Sequence, residues 1–180
     1  MPDILHVHDK DFVPYLSAEE IIEKVKELAE RINREYEGKK PLFISILNGS
    51  FMFAADLFKF ITIDAEICFI KLASYKGTRS SGQIITAIGL DIDLKAREII
   101  IVEDIIDTGK TLYQFLPQVF NQQPCSLKIA VLLHKPQATI YPVAIDYVCF
   151  TIPDKFVVGY GLDYNGLGRN FSGLYQLKEV

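Results

Sequence analysis

Four consecutive β-branched residues, Ile99-Ile100-Ile101-Val102, run directly into Glu103-Asp104-Ile105-Ile106-Asp107-Thr108-Gly109-Lys110-Thr111. A run with no polar face fits a strand buried on both sides, as in a parallel sheet covered by helices. Its acids fall at the strand's carboxyl end, where open α/β sheets bind ligands. Gly109 allows a sharp turn into Lys110–Phe120, whose spacing is helical and which Pro117 should kink or end early. The same alternation runs through the rest of the chain. Ser17-Ala18-Glu19-Glu20 has capping-box spacing, and Ile21, Val25, Leu28, Ala29 and Ile32 follow at helical intervals toward Gly38. Pro41–Leu47 reads as a buried strand stopped by Asn48-Gly49, Phe51–Ile61 as a second helix, and Ile63–Ser74 as another strand. Ile84–Leu90, Ser126–Leu133 and Ile145–Thr151 complete the strands, and the Gly-, Tyr- and Asn-rich tail from Phe156 reads as loop. The expectation is an α/β fold with a mostly parallel sheet flanked by helices.

A chain of 180 residues suits one domain, spanning 1–180, and buries enough surface to need no disulfide or metal staple. Cys68, Cys125 and Cys149 are odd in number, widely spaced and set in apolar stretches, so they read as buried free thiols of a reducing compartment. The net charge is −4, with Lys and Arg scattered, so there is no basic stripe for nucleic acid. Apolar runs stop far short of a membrane span, and Met1–His8 lacks the basic start and apolar core of a signal peptide. A soluble, cytoplasmic protein is expected, with no nucleic-acid or membrane partner. His6 and His8 form an H-x-H pair without an evident third ligand, which fits an exposed early strand or arm better than a metal site.

The turn after the buried strand has a physical use. Successive amides from Asp107 to Thr111, with the positive end of the following helix, form a nest for a phosphate, and Thr108 and Thr111 add hydroxyl donors. Glu103 and Asp104 would repel that phosphate but suit a sugar diol or Mg²⁺. The segment therefore asks for a ligand with a phosphate at one end and a ribose in the middle. Asp107 fits two roles equally well on this pattern alone, a helix N-cap or a general base. A nucleotide-kinase P-loop is excluded, because its first glycine position is held by Asp104. Gly159-Tyr160-Gly161-Leu162-Asp163-Tyr164 begins like a dinucleotide fingerprint and fails at its third glycine. Tyr75–Gln83 is polar and glycine-containing, as in a mobile loop between two strands.

Val102–Thr111 resembles the phosphoribosyl-diphosphate motif of the type I phosphoribosyltransferases, and residues 41 to 177 are most similar to the hypoxanthine (hypoxanthine–guanine) branch. Leu47-Asn48-Gly49-Ser50 resembles that family's pyrophosphate loop, and Ser74-Tyr75 the dipeptide opening its catalytic lid. Lys135 matches its purine-reading lysine, and Pro153–Tyr160 through Asp163 and Arg169 its base and pyrophosphate site. The resemblance implies Mg²⁺-dependent transfer of phosphoribosyl from 5-phosphoribosyl 1-diphosphate to N9 of a 6-oxopurine. It implies Asp107 as the base at purine N7, and Glu103 and Asp104 on the ribose hydroxyls. Thr108, Gly109, Lys110 and Thr111 would hold the 5-phosphate. Lys135, Phe156, Val157 and Asp163 would hold the purine, and Asn48, Gly49 and Arg169 the pyrophosphate. Glu103, Asp104 and Asp163 would meet Mg²⁺, while Ser74 and Tyr75 open the lid. Also implied are a small hood from the N- and C-terminal segments, a non-proline cis peptide in the pyrophosphate loop, and a homodimer or homotetramer. Many members carry Lys or Arg at the position of Asn48, so any charge supplied there is missing from this chain. A different class, a phosphoribosyl-diphosphate-sensing regulator that binds nucleic acid, would need a basic face that net charge −4 does not favour.

Overall fold

A computed structural model describes residues 3–74, 84–88 and 90–179. The chain opens with β1 (Leu5–Val7) and β2 (Lys10–Leu16), then α1 (Ala18–Glu35), β3 (Leu42–Leu47) and α2 (Phe51–Lys59). It continues with β4 (Glu66–Ser74), β5 (Ile84–Ile88), β6 (Glu98–Ile106) and α3 (Lys110–Phe120). β7 (Ser126–His134), β8 (Tyr147–Thr151), β9 (Val157–Gly159) and β10 (Leu174–Leu177) complete it.

The apolar strands form a six-stranded sheet in the order β5-β4-β3-β6-β7-β8. Every neighbouring pair is parallel except β4 with β5. The buried run of β6 therefore lies at the centre, with side chains covered on both faces. Ile100 and Val102 pack with Ile21, Val25 and Leu28 of α1 and Phe53 and Leu57 of α2. Ile99 and Ile101 pack with Leu112, Phe115 and Val119 of α3. Each helix presents one apolar stripe to the sheet, which is what its sequence spacing demands.

Three expectations need correction. The tail from Phe156 contains β9 and β10, which join β1 and β2 in an antiparallel four-stranded sheet of order β1-β2-β10-β9. Strands of three and four residues are too short for an alternating pattern to stand out among the glycines. This sheet, with its own core of Leu5, Val7, Phe12, Val158 and Tyr175, is the hood drawn from both terminal segments. Pro117 neither ends nor shortens α3, which continues to Phe120. It lacks one donor, but its carbonyl still accepts from the Asn121 amide at 3.0 Å, and buried Phe115 and Val119 hold the helix on the sheet. The cysteines are free but not all buried: Cys68 and Cys149 are half-buried, and Cys125 is exposed in the turn before β7.

Candidate active site

The site grows from the carboxyl end of β6. Glu103 still belongs to the strand and is buried, and its Oε2 has no hydrogen-bond partner among the described residues. Burial, with the neighbouring Asp104 charge second, holds its carboxyl well above the usual range. Burial likewise raises Asp104 to about 6, against the opposing pull of the Ile105 amide and its own. Asp104 lies directly under the loop from β3 to α2. A Cβ on Gly49 would stand 1.6 Å from Asp104 Oδ2, so only a residue without a side chain lets the loop settle there. That loop has the cis peptide expected of it, between Leu47 and Asn48. It is braced beneath by Ser45 and Ser50, whose hydroxyls lie 2.7 Å apart, while Ser50 Oγ donates to the Ile46 carbonyl at 2.5 Å.

The tail closes on the same loop. A Cβ on Gly161 would meet the Gly49 carbonyl at 2.1 Å. Arg169 Nη1 donates to the Gly161 carbonyl at 2.6 Å, and its Nη2 lies 2.6 Å from Asp163 Oδ1. Asp163 Oδ2 in turn accepts from the Gly166 amide at 2.6 Å. Asn48, Gly49 and Arg169, assigned by resemblance to the pyrophosphate, thus share one neighbourhood with Asp163, assigned to the purine and Mg²⁺. Arg169 is already paired with a carboxylate there.

Beyond β6 the chain turns at Gly109, the N-cap of α3, with φ +78° and no side-chain cap bond. The Asp107 carboxylate is therefore not used as a helix cap. Its Oδ2 lies 3.5 Å from Lys135 Nζ, which lies 3.2 Å from Asp154 Oδ1. Lys135 itself is buried, so an ammonium sits beneath two solvent-facing carboxylates. The amides after Asp107 are held from behind: the Thr108 carbonyl accepts from Ile140 and Tyr141 at 3.1 and 2.9 Å. A Cβ on Gly109 would lie 2.4 Å from the Tyr141 carbonyl, a third close approach only glycine permits.

Two cavities meet at this strand end. One, of about 250 Å³, is lined by the continuous run Glu103–Leu112, and so by Thr108, Gly109, Lys110 and Thr111. The other, of about 220 Å³, is lined by Asp104, Ile105, Asp107, Lys135, Phe156, Val157, Leu162 and Asp163. They share Asp104, Ile105 and Asp107. The first offers backbone amides at a helix start. The second offers a buried cation, an aromatic ring and the backbone of β9.

Two residues at this site had no role in the sequence reading. Asp154 lies in the quoted Pro153–Tyr160 motif, the one signal available, and its ion pair with Lys135 emerges only in the structure. Thr139 gave no signal, yet its hydroxyl lies 3.0 Å from the Lys135 carbonyl and 3.2 Å from that of Asp107. Ser74 ends β4, whereas Tyr75 and the loop expected over 75–83 lie outside the described residues. His6 and His8 fall on the β1–β2 hairpin, bonded to Asp11 at 2.5 Å and the Asn165 carbonyl at 3.3 Å, as an exposed strand predicts.

Glu103, Asp104 and Asp163 are not gathered into a metal cage, and no group of three or more His, Cys, Asp or Glu side chains is so placed among the described residues. The donor set nonetheless fits Mg²⁺, which takes one or two carboxylates and completes its shell with water and substrate oxygens. The unpartnered Glu103 Oε2, and Asp104 and Asp163 on a common cavity, are oxygens of that kind.

Residues 14–165 match the phosphoribosyl transferase domain family. The chain is 47% identical over 164 residues to a hypoxanthine-guanine phosphoribosyltransferase of Lactococcus lactis, covering 91% of this chain and 89% of that one. It is 43% identical over 165 residues to the Streptococcus pneumoniae protein of the same name, covering 91% and 92%. Among solved structures, a hypoxanthine-guanine phosphoribosyltransferase from Bacillus anthracis superposes with a TM-score of 0.84 at 39% identity, over 92% of this chain and 96% of that one. The Trypanosoma cruzi hypoxanthine phosphoribosyltransferase in complex with its product IMP gives 0.87 at 35% identity, over 97% of each chain.

Proposed function

The chain belongs to the phosphoribosyltransferase family, and from that premise we propose that it is a purine-salvage enzyme joining N9 of a 6-oxopurine to C1 of 5-phosphoribosyl 1-diphosphate. The carrying observation is the pair of cavities that share Asp104, Ile105 and Asp107. One suits a phosphate, the other a flat base with a carbonyl, and the acids between them suit the ribose.

In this reading the amides of Thr108–Thr111 and the start of α3 hold the 5-phosphate. Glu103 and Asp104 grip the ribose hydroxyls, so that C1 faces the second cavity. Phe156 stacks on the purine, Val157 offers backbone groups to its edge, and the Lys135 ammonium donates to O6. Asp107 takes the proton from purine N7 as N9 bonds to C1 and the C1–oxygen bond to pyrophosphate breaks. A base so placed contributes roughly 10²–10⁴-fold. Asn48, Gly49 and Arg169 receive the leaving pyrophosphate, and Asn48 brings hydrogen bonds there but no charge. Glu103, Asp104 and Asp163 are the residues that would hold Mg²⁺. When bound, Mg²⁺ neutralises the diphosphate and eases its departure. Residues 1–180 work as one domain in a cytoplasmic homodimer or homotetramer.

A spectrophotometric screen of hypoxanthine, guanine, xanthine and adenine with 5-phosphoribosyl 1-diphosphate tests the reading. The expected result is nucleotide and pyrophosphate from 6-oxopurines, no detectable transfer in excess chelator, and recovery with Mg²⁺ or Mn²⁺. Absence of nucleotide with all four bases would overturn the activity. Full turnover in chelator would overturn the metal role of Glu103, Asp104 and Asp163.

A further inference from the structure

Tyr164 lines neither cavity, yet its ring packs edge-on against Phe156, which lines the second. It stands on a two-residue turn: Tyr164 and Leu167 exchange backbone hydrogen bonds at 2.9 and 3.1 Å. Asn165 and Gly166 between them have φ of +49° and +88°. Asn-Gly suits two successive left-handed positions, so the turn fixes where the tyrosine emerges.

Three consecutive residues of the β1–β2 hairpin then take hold of its side chain. The Tyr164 hydroxyl donates to Asp9 Oδ1 at 2.8 Å. The His8 ring meets the tyrosine ring edge-on at 5.6 Å, and the Lys10 ammonium stands 5.6 Å from its centroid. The same ring meets Phe156 edge-on, with centroids 5.8 Å apart and planes at 83°. Phe12 of β2 completes a triangle, 6.1 Å from Phe156 and 6.3 Å from Tyr164. Phe156 is 45% exposed and follows an irregular segment, so without these neighbours its ring would be free to sample other rotamers.

We infer that Tyr164 is a positioning residue for the purine: gripped by the His8–Lys10 turn, it holds the Phe156 ring at the stacking angle, so the amino-terminal hairpin sets purine affinity. This rests on the proposed purine pocket. Its consequence is selective. Purine binding depends on the hairpin, whereas the phosphate nest, built on β6 and α3, does not.

The test is steady-state kinetics on the full chain with hypoxanthine and 5-phosphoribosyl 1-diphosphate varied separately. Tyr164→Ala should raise KM for hypoxanthine roughly 5–10-fold, the scale of a lost edge-to-face pair. KM for the diphosphate should stay within about twofold. Tyr164→Phe keeps the ring and loses only the Asp9 bond, so a rise of about 2–3-fold is expected, shared by Asp9→Ala and not compounded in the double variant. In a Phe156→Ala background, which itself raises the hypoxanthine KM, Tyr164→Ala should add nothing further. If Phe156→Ala raises that KM while Tyr164→Ala leaves it unchanged, the pocket stands and the positioning role is overturned. Additive effects of the two, or equal effects on both substrates, also overturn it. If Phe156→Ala leaves the hypoxanthine KM unchanged, the pocket assignment itself fails. Should Tyr164→Ala not fold, the Tyr164→Phe and Asp9→Ala pair decides: a normal hypoxanthine KM in both overturns the role.

Discussion

Asp107 faces an ammonium rather than a helix terminus, and this decides what its replacement should do. If it capped α3, asparagine would replace it at little cost. The cap is Gly109, and Lys135 Nζ lies 3.5 Å from the Asp107 carboxylate. Asp107→Asn should therefore keep the fold and substrate binding while kcat falls roughly 10²-fold or more. Single-turnover rates and a thermal melt check both halves; near-normal chemistry in the variant would contradict the base assignment. The acid itself was legible in the sequence, as a carboxylate at the ligand-binding end of a buried strand. Its partnership with Lys135 is legible only through pairing between strands. The β6–β7 register sets Ile106 beside His134, and the Lys135 amide donates to the Ile106 carbonyl at 2.9 Å. Asp154 arrives by the same device, because the Ile152 amide donates to the His134 carbonyl at 2.9 Å and leads the chain back to the lysine. No local pattern carries that register.

Elements whose ends are written in side chains were the easiest to read. In α1 the Glu20 amide donates to Ser17 Oγ at 3.2 Å, and the Ser17 amide to Glu20 Oε2 at 2.8 Å, the reciprocal box that the spacing announces. Ser17→Ala leaves the Glu20 amide without its side-chain acceptor and should cost about 1 kcal/mol of stability. Denaturant unfolding measures this; because α1 lies away from both cavities, kcat should not change. An undiminished midpoint would mean that the cap is redundant with the packing of Ile21 and Val25. β9 and β10 were missed because a strand of three or four residues offers no period to count. What identifies them is a partner distant in sequence: Val13 and Val157 both pair with Gln176. α3 runs through Pro117 because tertiary burial of Phe115 and Val119 outweighs one lost backbone bond.

At the scale of the molecule, the main sheet and the hood sheet meet around the two cavities, and ties between distant elements hold the far side of the main sheet. Glu35 at the end of α1 accepts from Lys128 of β7 at 2.7 Å and from the Tyr147 hydroxyl of β8 at 2.5 Å. Arg31 Nε adds a third bond at 2.8 Å. The Lys128 ammonium foremost, then the Tyr147 hydroxyl, hold the Glu35 carboxyl at about 2, below its ordinary 4.5. With the folded value lower, the unfolded chain binds the extra proton, so this contribution is complete above about pH 4.5 and lost as pH falls toward 2. Melting temperatures from pH 6 to pH 3 should thus fall more steeply for the natural chain than for Glu35→Gln; parallel slopes would contradict the linkage. The hood was legible from family resemblance, and the helix-covered parallel sheet from hydrophobic patterning alone. The hood joins the main body through Val157 and Leu174, buried in the same cluster as α1 and α2. The tail beside it joins through Tyr160, whose hydroxyl donates to Asp56 Oδ2 at 2.7 Å, while Gly49 and Gly161 let the two loops approach closely. The central claim is that this meeting place reads a 6-oxopurine, with the buried Lys135 ammonium as a donor that suits a C6 carbonyl and opposes a C6 amine. The most direct test is the ratio of kcat/KM for hypoxanthine to that for adenine in the natural chain. A ratio of at least roughly 10³ is predicted, since unpaired buried donors discriminate strongly; comparable values for the two bases would contradict it.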